Sequence, residues 1–167
     1  MSINAASENQ IPKLRYASIL LSSFIIMLCA GSMYAWSVYV NPLKNQYGFT
    51  TTDTQIVFGF IVMLLAISNC FAGRIEQRFG PRNTAIAGAA FFFLGYLIAS
   101  ISGGNIFIII IGLGLLNGIG MALAYITILS VVNKWLPNNK GLATGIAMSG
   151  FGGGAILASY IAQPLLA

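Results

Sequence analysis

From Tyr16 to Val40 the chain runs 25 residues without a charged side chain. A helix of that length reaches about 37 Å at about 1.5 Å per residue, enough to cross a hydrocarbon layer of about 30 Å with some tilt. Four further apolar runs follow, at about 53–73, 84–100, 106–132 and 141–166. Only 7% of the residues are charged, whereas a soluble domain carries about 25%, so a fold built in water is excluded. The expected fold class is an all-α membrane protein with five transmembrane helices, 16–40, 53–73, 84–100, 106–132 and 141–166.

The few charges set the direction of threading. Lys13, Arg15, Arg74, Arg78, Arg82, Lys134 and Lys140 fall before span one or in alternate loops, and only Lys44 falls in the opposite set. Loop Lys and Arg are retained on the cytoplasmic side, so residues 1–15 read as a polar cytoplasmic N-terminus. The expected location is the inner (cell) membrane of a bacterium or archaeon, crossed several times. A net charge of +5 does not indicate a nucleic-acid partner, because the cations are spread among spans rather than gathered in a stripe. Histidine is absent and the acids are Glu8, Asp53 and Glu76, so neither a catalytic metal site nor a Ser/His/Asp triad can be assembled. An enzyme is not expected, nor a cofactor. Cys29 and Cys70 sit in apolar runs and read as small buried hydrophobes, not as a disulfide.

Local signals place the ends of the spans. Asn41 and Pro42 are expected to stop the first, since proline cannot donate to the backbone ladder. Lys44 to Thr52 would form an outer loop, and Thr52 or Asp53 would cap the second span. At about 100° per residue, Ser23, Ala30, Tyr34, Ser37 and Asn41 share a sector of roughly 60°, a weakly polar stripe. Trp36 and Tyr39 point nearly opposite and read as headgroup anchors. Asn69 lies on one face with Gln55 and Val62, and needs a partner in hydrocarbon, on a neighbouring helix or in a bound solute. Tyr125 shares a face with Gly118, Met121 and Val132, and Phe151 with Thr144, Ala155 and Ala158. Gly114 with Gly118, Gly141 with Gly145, and Gly150 with Gly154 are spaced for close helix packing. No span carries Asp, Glu, Lys or Arg away from its ends, which leaves no proton relay and no charged substrate clamp within these residues.

Two loops and the end of the first span converge on one family. GRIEQRFGPR, from Gly73 to Arg82, resembles the loop signature of the major facilitator superfamily, with Gly73, Arg78, Gly80 and Arg82 matching. The signature's Asp position holds Gln77, and Glu76 stands one residue earlier. YAWSVYVNPLK, from Tyr34 to Lys44, paired with NKWLPNNKGLATGIAMSGFGGGA, from Asn133 to Ala155, is similar to the oxalate/formate antiporter family. Leu136, Asn138 and Asn139 replace an aromatic, an acidic and a basic residue of that pattern.

The resemblance implies an N-terminal major facilitator bundle, truncated to about five of twelve helices, in a carrier that works by alternating access around a midplane site. It further implies a small carboxylate such as oxalate or formate as solute, with the missing C-terminal half of the same carrier and the lipid bilayer as partners. Candidate substrate-binding residues are Tyr34, Ser37, Asn69, Tyr125 and Phe151. Gly73, Glu76, Arg78, Gly80 and Arg82 are the candidate gating residues of the loop. The competing expectations are a major facilitator carrier for another solute, or a truncated membrane protein that transports nothing.

Overall fold

The computed structural model describes residues 13–166, with side chains from 16 to 164, and among them every regular element is helical. Residues 1–12 with Glu8, and the side chains of Lys13 and Arg15, lie outside the described residues. Five helices are long and apolar enough to cross a membrane: span 1, Tyr16–Tyr47; span 2, Thr51–Phe79; span 3, Pro81–Ser100; span 4, Ile106–Trp135; and span 5, Pro137–Pro164. Span 4 is the hub. Half of its most apolar window is buried, against 17% to 28% in the other four, and it packs on spans 1, 2, 3 and 5. Span 5 lies chiefly along span 1, and span 3 chiefly along span 4.

Two apolar clusters hold the bundle. Ala30, Met33 and Trp36 of span 1 meet Val57 and Ile61 of span 2 and Ile109 and Met121 of span 4. Nearer the other end, Met27 meets Ile128 and Val132 of span 4 and Ala143 and Ala147 of span 5. Elsewhere the helices come together through bare backbone. A Cβ on Gly95 would stand 2.6 Å from the Gly112 carbonyl oxygen, and one on Gly112 would stand 2.7 Å from that of Gly95. Gly88 and Gly120 repeat the relation one step along the same seam between spans 3 and 4, at 2.9 and 2.7 Å. Distances so short leave room for hydrogen only.

Spans 1 and 2 depart from their expected ends. Span 1 does not stop at Asn41 and Pro42 but runs on to Tyr47, with Pro42 inside the helix. Proline there forfeits one backbone donor without breaking the helix, as membrane helices tolerate when neighbours cover the freed carbonyl. Gly48, at φ +68°, ends it. The cap of span 2 is neither Thr52 nor Asp53. Thr50 is the N-cap: its Oγ1 accepts from the Asp53 backbone N–H at 3.2 Å, and the Asp53 carboxylate accepts from the Thr50 N–H at 2.9 Å. Span 2 also continues past Gly73 to Phe79, so most of the expected loop is helix. Arg, Glu and Gln favour helix, and the reversal needs only Gly80 at φ +81° before Pro81 starts span 3.

The polar stripe on span 1 is broken for a similar reason. Ser32–Ala35 form a 3-10 turn, which advances about 120° per residue in place of about 100°. Ser23 and Ala30 therefore face inward while Tyr34 and Ser37 are exposed. The same rotation carries Trp36 into the bundle, where it is buried and its Nε1 donates to the Thr54 carbonyl at 3.1 Å; it is not a headgroup anchor. Cys29 and Cys70 are free thiols on exposed faces rather than buried ones, because in a membrane bundle an apolar run covers lipid-facing positions too. Gly114, Gly118, Gly150 and Gly154 do take a neighbouring helix, but Gly141 and Gly145 face open space.

Candidate functional site

Three of the residues singled out by sequence converge although they come from three helices. The Phe151 ring of span 5 and the Tyr34 ring of span 1 form a T-shaped pair, with centroids 5.5 Å apart and planes at 80°. On its other side Phe151 meets Tyr125 of span 4 at 5.6 Å. The convergence follows from the packing of span 5 on span 1. A Cβ on Gly31 would collide with the Phe151 carbonyl, and one on Gly154 with that of Leu28, so the two backbones touch at Phe151 and again about one turn after it. Tyr34 is 47% exposed, which leaves one ring of the trio open.

The trio is uncharged yet suited to an anion. Aromatic edges carry partial positive charge, and a phenol donates a hydrogen bond. The Tyr125 hydroxyl donates at 3.4 Å to the sulfur of Met148, a weak acceptor that a carboxylate oxygen would readily displace. Ser37 and Asn69 are not drawn into this cluster. Ser37 is exposed one turn from Tyr34, and Asn69 is partly buried on span 2 with its Oδ1 lacking any hydrogen-bond partner.

A second polar cluster lies at the end that carries the arginines. Glu76, expected in a loop, is on the last turn of span 2 and only 4% exposed. Its Oε1 accepts from Lys134 Nζ at 3.0 Å and from Ser130 Oγ at 3.1 Å, both on span 4. This is the one ion pair among the described residues. Gln77, at the position where the loop signature has its acid, is exposed, so the inward-facing acid is Glu76. Arg78 and Arg82 are exposed on either side of Gly80, with the Arg78 guanidinium 5.6 Å from the Phe79 ring centre. Gly73 sits at the span 2 to span 4 contact, where a Cβ would reach Ile126 at 4.0 Å.

Sequence reasoning missed Glu76's partners. Ser130 and Lys134 are four apart and share a helix face, and a cation in the last turn suits the helix dipole. That signal was open to reading, but Lys134 had already been accounted for by threading direction. The Gly88, Gly95, Gly112 and Gly120 seam was also missed, because its pairs lie on different helices and no spacing within one helix announces them.

A family model described as Major Facilitator Superfamily matches residues 19–167. Among curated proteins, the uncharacterized MFS-type transporter YhjX of Escherichia coli is 29% identical over 147 residues, covering 88% of this chain and 36% of that protein. The oxalate:formate antiporter of Oxalobacter formigenes is 26% identical over 146 residues, covering 85% of this chain and 34% of its own length. Monocarboxylate transporter 4 of Rattus norvegicus is 27% identical over 137 residues, covering 80% of this chain and 28% of its own length. The chain thus spans about a third of the length of the curated relatives it matches.

Proposed function

Because the chain belongs to the Major Facilitator Superfamily, we propose that it forms the N-terminal part of a secondary carrier that moves small carboxylates by alternating access. The observation that carries this reading is the trio of Tyr34, Phe151 and Tyr125, three rings from three spans with one open face. Two of the similar proteins are named for small carboxylates, the oxalate:formate antiporter and monocarboxylate transporter 4, which supports the solute class.

In this reading the trio forms one wall of the midplane site, offering ring edges and the Tyr125 hydroxyl to the solute. The cation that balances the carboxylate comes from the rest of the carrier. Glu76, with Lys134 and Ser130, ties spans 2 and 4 at the cytoplasmic end, so that the two helices move as one body when the halves rock. Ser37 and Asn69 join the solute path only in a conformation other than this one. The carrier's partners are the organic anion, the bilayer and its own C-terminal half, not a nucleic acid. Its N-terminus is cytoplasmic and its membrane is that of a bacterial or archaeal cell.

Exchange in proteoliposomes tests the proposal. The complete carrier, loaded with unlabelled oxalate, formate or pyruvate, should take up the labelled solute, and Tyr125→Phe should raise the half-saturating concentration about tenfold through the loss of one charge-assisted hydrogen bond. A Tyr34→Ala carrier that inserts normally but exchanges slowly would agree. Unchanged exchange in both variants would make the aromatic trio a packing cluster and sink the assignment.

A further inference from the structure

A cavity of about 430 Å³ opens between spans 1, 3 and 4, with Ile61 of span 2 also lining it, at the end of the bundle away from the arginines. Trp36, Tyr39, Tyr96 and Leu113 supply aromatic and aliphatic walls, Gln46 and Asn117 supply amides, and no acidic or basic side chain lines it. None of Tyr34, Tyr125 and Phe151 takes part, so it is separate from the aromatic trio.

Asn117 is its most informative residue. The side chain is 3% exposed and its Oδ1 has no hydrogen-bond partner. A buried amide left unpaired is costly, and in a membrane bundle no bulk water stands by to satisfy it. Asn117 closes the π-helical segment Ile110–Asn117, a rare backbone form found frequently at functional sites. It also lies against span 3 where a Cβ on Gly95 would stand 3.1 Å from the Asn117 Cβ, so the backbone there is fixed and only the amide is free to adjust. Its terminal torsion is broad and roughly two-fold, which lets either the oxygen or the nitrogen turn toward the cavity.

We propose that this cavity binds an uncharged, hydroxyl-bearing amphiphile drawn from the bilayer, with its hydroxyl on the Asn117 amide and its chain along Trp36, Tyr39 and Leu113. The uncharged lining disfavours carboxylate and phosphate headgroups, which separates this ligand from a transported anion. Ligand pockets run from about 300 to 1,000 Å³, and a volume near the lower bound suits a single alkyl chain with a small neutral head rather than a two-chain lipid. Occupancy does not depend on which solute the carrier moves.

The test is photolabelling of the complete carrier, in liposomes of defined phospholipid, with a diazirine-bearing monoacylglycerol. Label should map to residues 32–47 and 96–117, be displaced by excess unlabelled monoacylglycerol, and resist displacement by the free fatty acid of the same chain length. Asn117→Leu should weaken labelling about tenfold, the equivalent of one hydrogen bond. Ser100→Trp, at the exposed rim of the cavity, should block labelling with Asn117 intact, so that loss of the site is distinguishable from loss of the fold. Label spread without competition over the exposed Ile86, Phe93 and Tyr160 would overturn the proposal, as would equal displacement by the fatty acid. An unlabelled but correctly folded wild-type carrier would overturn it too, because another part of the carrier then fills the space.

Discussion

At the arginine-bearing end of span 4, Lys134 and Ser130 both donate to the buried carboxylate of Glu76 on span 2. Toward the other end the same helix rests on span 3 through naked backbone at Gly112 and Gly120, and leaves the Asn117 oxygen without a partner. One end is joined by side chains that meet each other's hydrogen-bonding needs, the other by the absence of side chains. The first kind of joint is chemically specific and adjustable. The second is specific only in shape, and it has no give.

If that contrast is right, the glycine seam should be the most fragile. Gly120→Val places carbon 2.6 Å from the Phe92 nitrogen and 2.7 Å from the Gly88 oxygen, and should cost about 3 kcal/mol, the upper end for overpacking. Size-exclusion chromatography after a heating series would show it as an early loss of the monodisperse peak. A variant as heat-resistant as wild type would mean the seam can open.

Next comes the ion pair, where the two partners are unequal. Lys134→Met strands a carboxylate that is 4% exposed, whereas Glu76→Gln keeps an acceptor for Ser130 and frees a lysine that is 63% exposed. The lysine variant should lose about 1 to 2 kcal/mol, discounted from buried-pair values because its head reaches solvent, and the glutamine variant less. The double variant should fall short of the sum, which a double-mutant cycle in thermal unfolding would read. Equal and additive losses would show that the pair is not coupled. The smallest effect belongs to Trp36→Phe, which removes the bond from Nε1 to the Thr54 carbonyl and should cost about 1 kcal/mol with little change in fold. A larger drop would mean that the indole, and not the glycine seam, holds that end.

The five helices were legible because a membrane reduces the problem to length and charge. Tyr16 to Val40 admits no other reading, and the solvent does not reward any finer pattern. For the same reason the interior was hard to read: with apolar residues on both lipid-facing and buried positions, hydrophobicity ceased to mark the core, and Cys29 and Cys70 were misplaced. Tyr34, Tyr125 and Phe151 came from the family resemblance, and nothing in the period of their own helices would have joined them. Glu76 was named for the wrong neighbourhood, since the helix propensity of Arg74 to Phe79 outweighed the loop that a cluster of charges suggests. Trp36 was lost to a single 3-10 turn, a local departure that a constant 100° step cannot register.

That turn has a mechanical meaning. Four residues wound as 3-10 rise about 8 Å, against about 6 Å as α-helix, while turning about 80° further. Rewinding Ser32–Ala35 to α would therefore work as a screw thread, drawing the Trp36 portion of span 1 inward by about 2 Å as it rotates against the Phe24 portion. Translation and torsion are coupled by pitch alone. In the carrier proposed above, these four residues of span 1 would be a means of converting a tilt at one membrane face into a twist at the other.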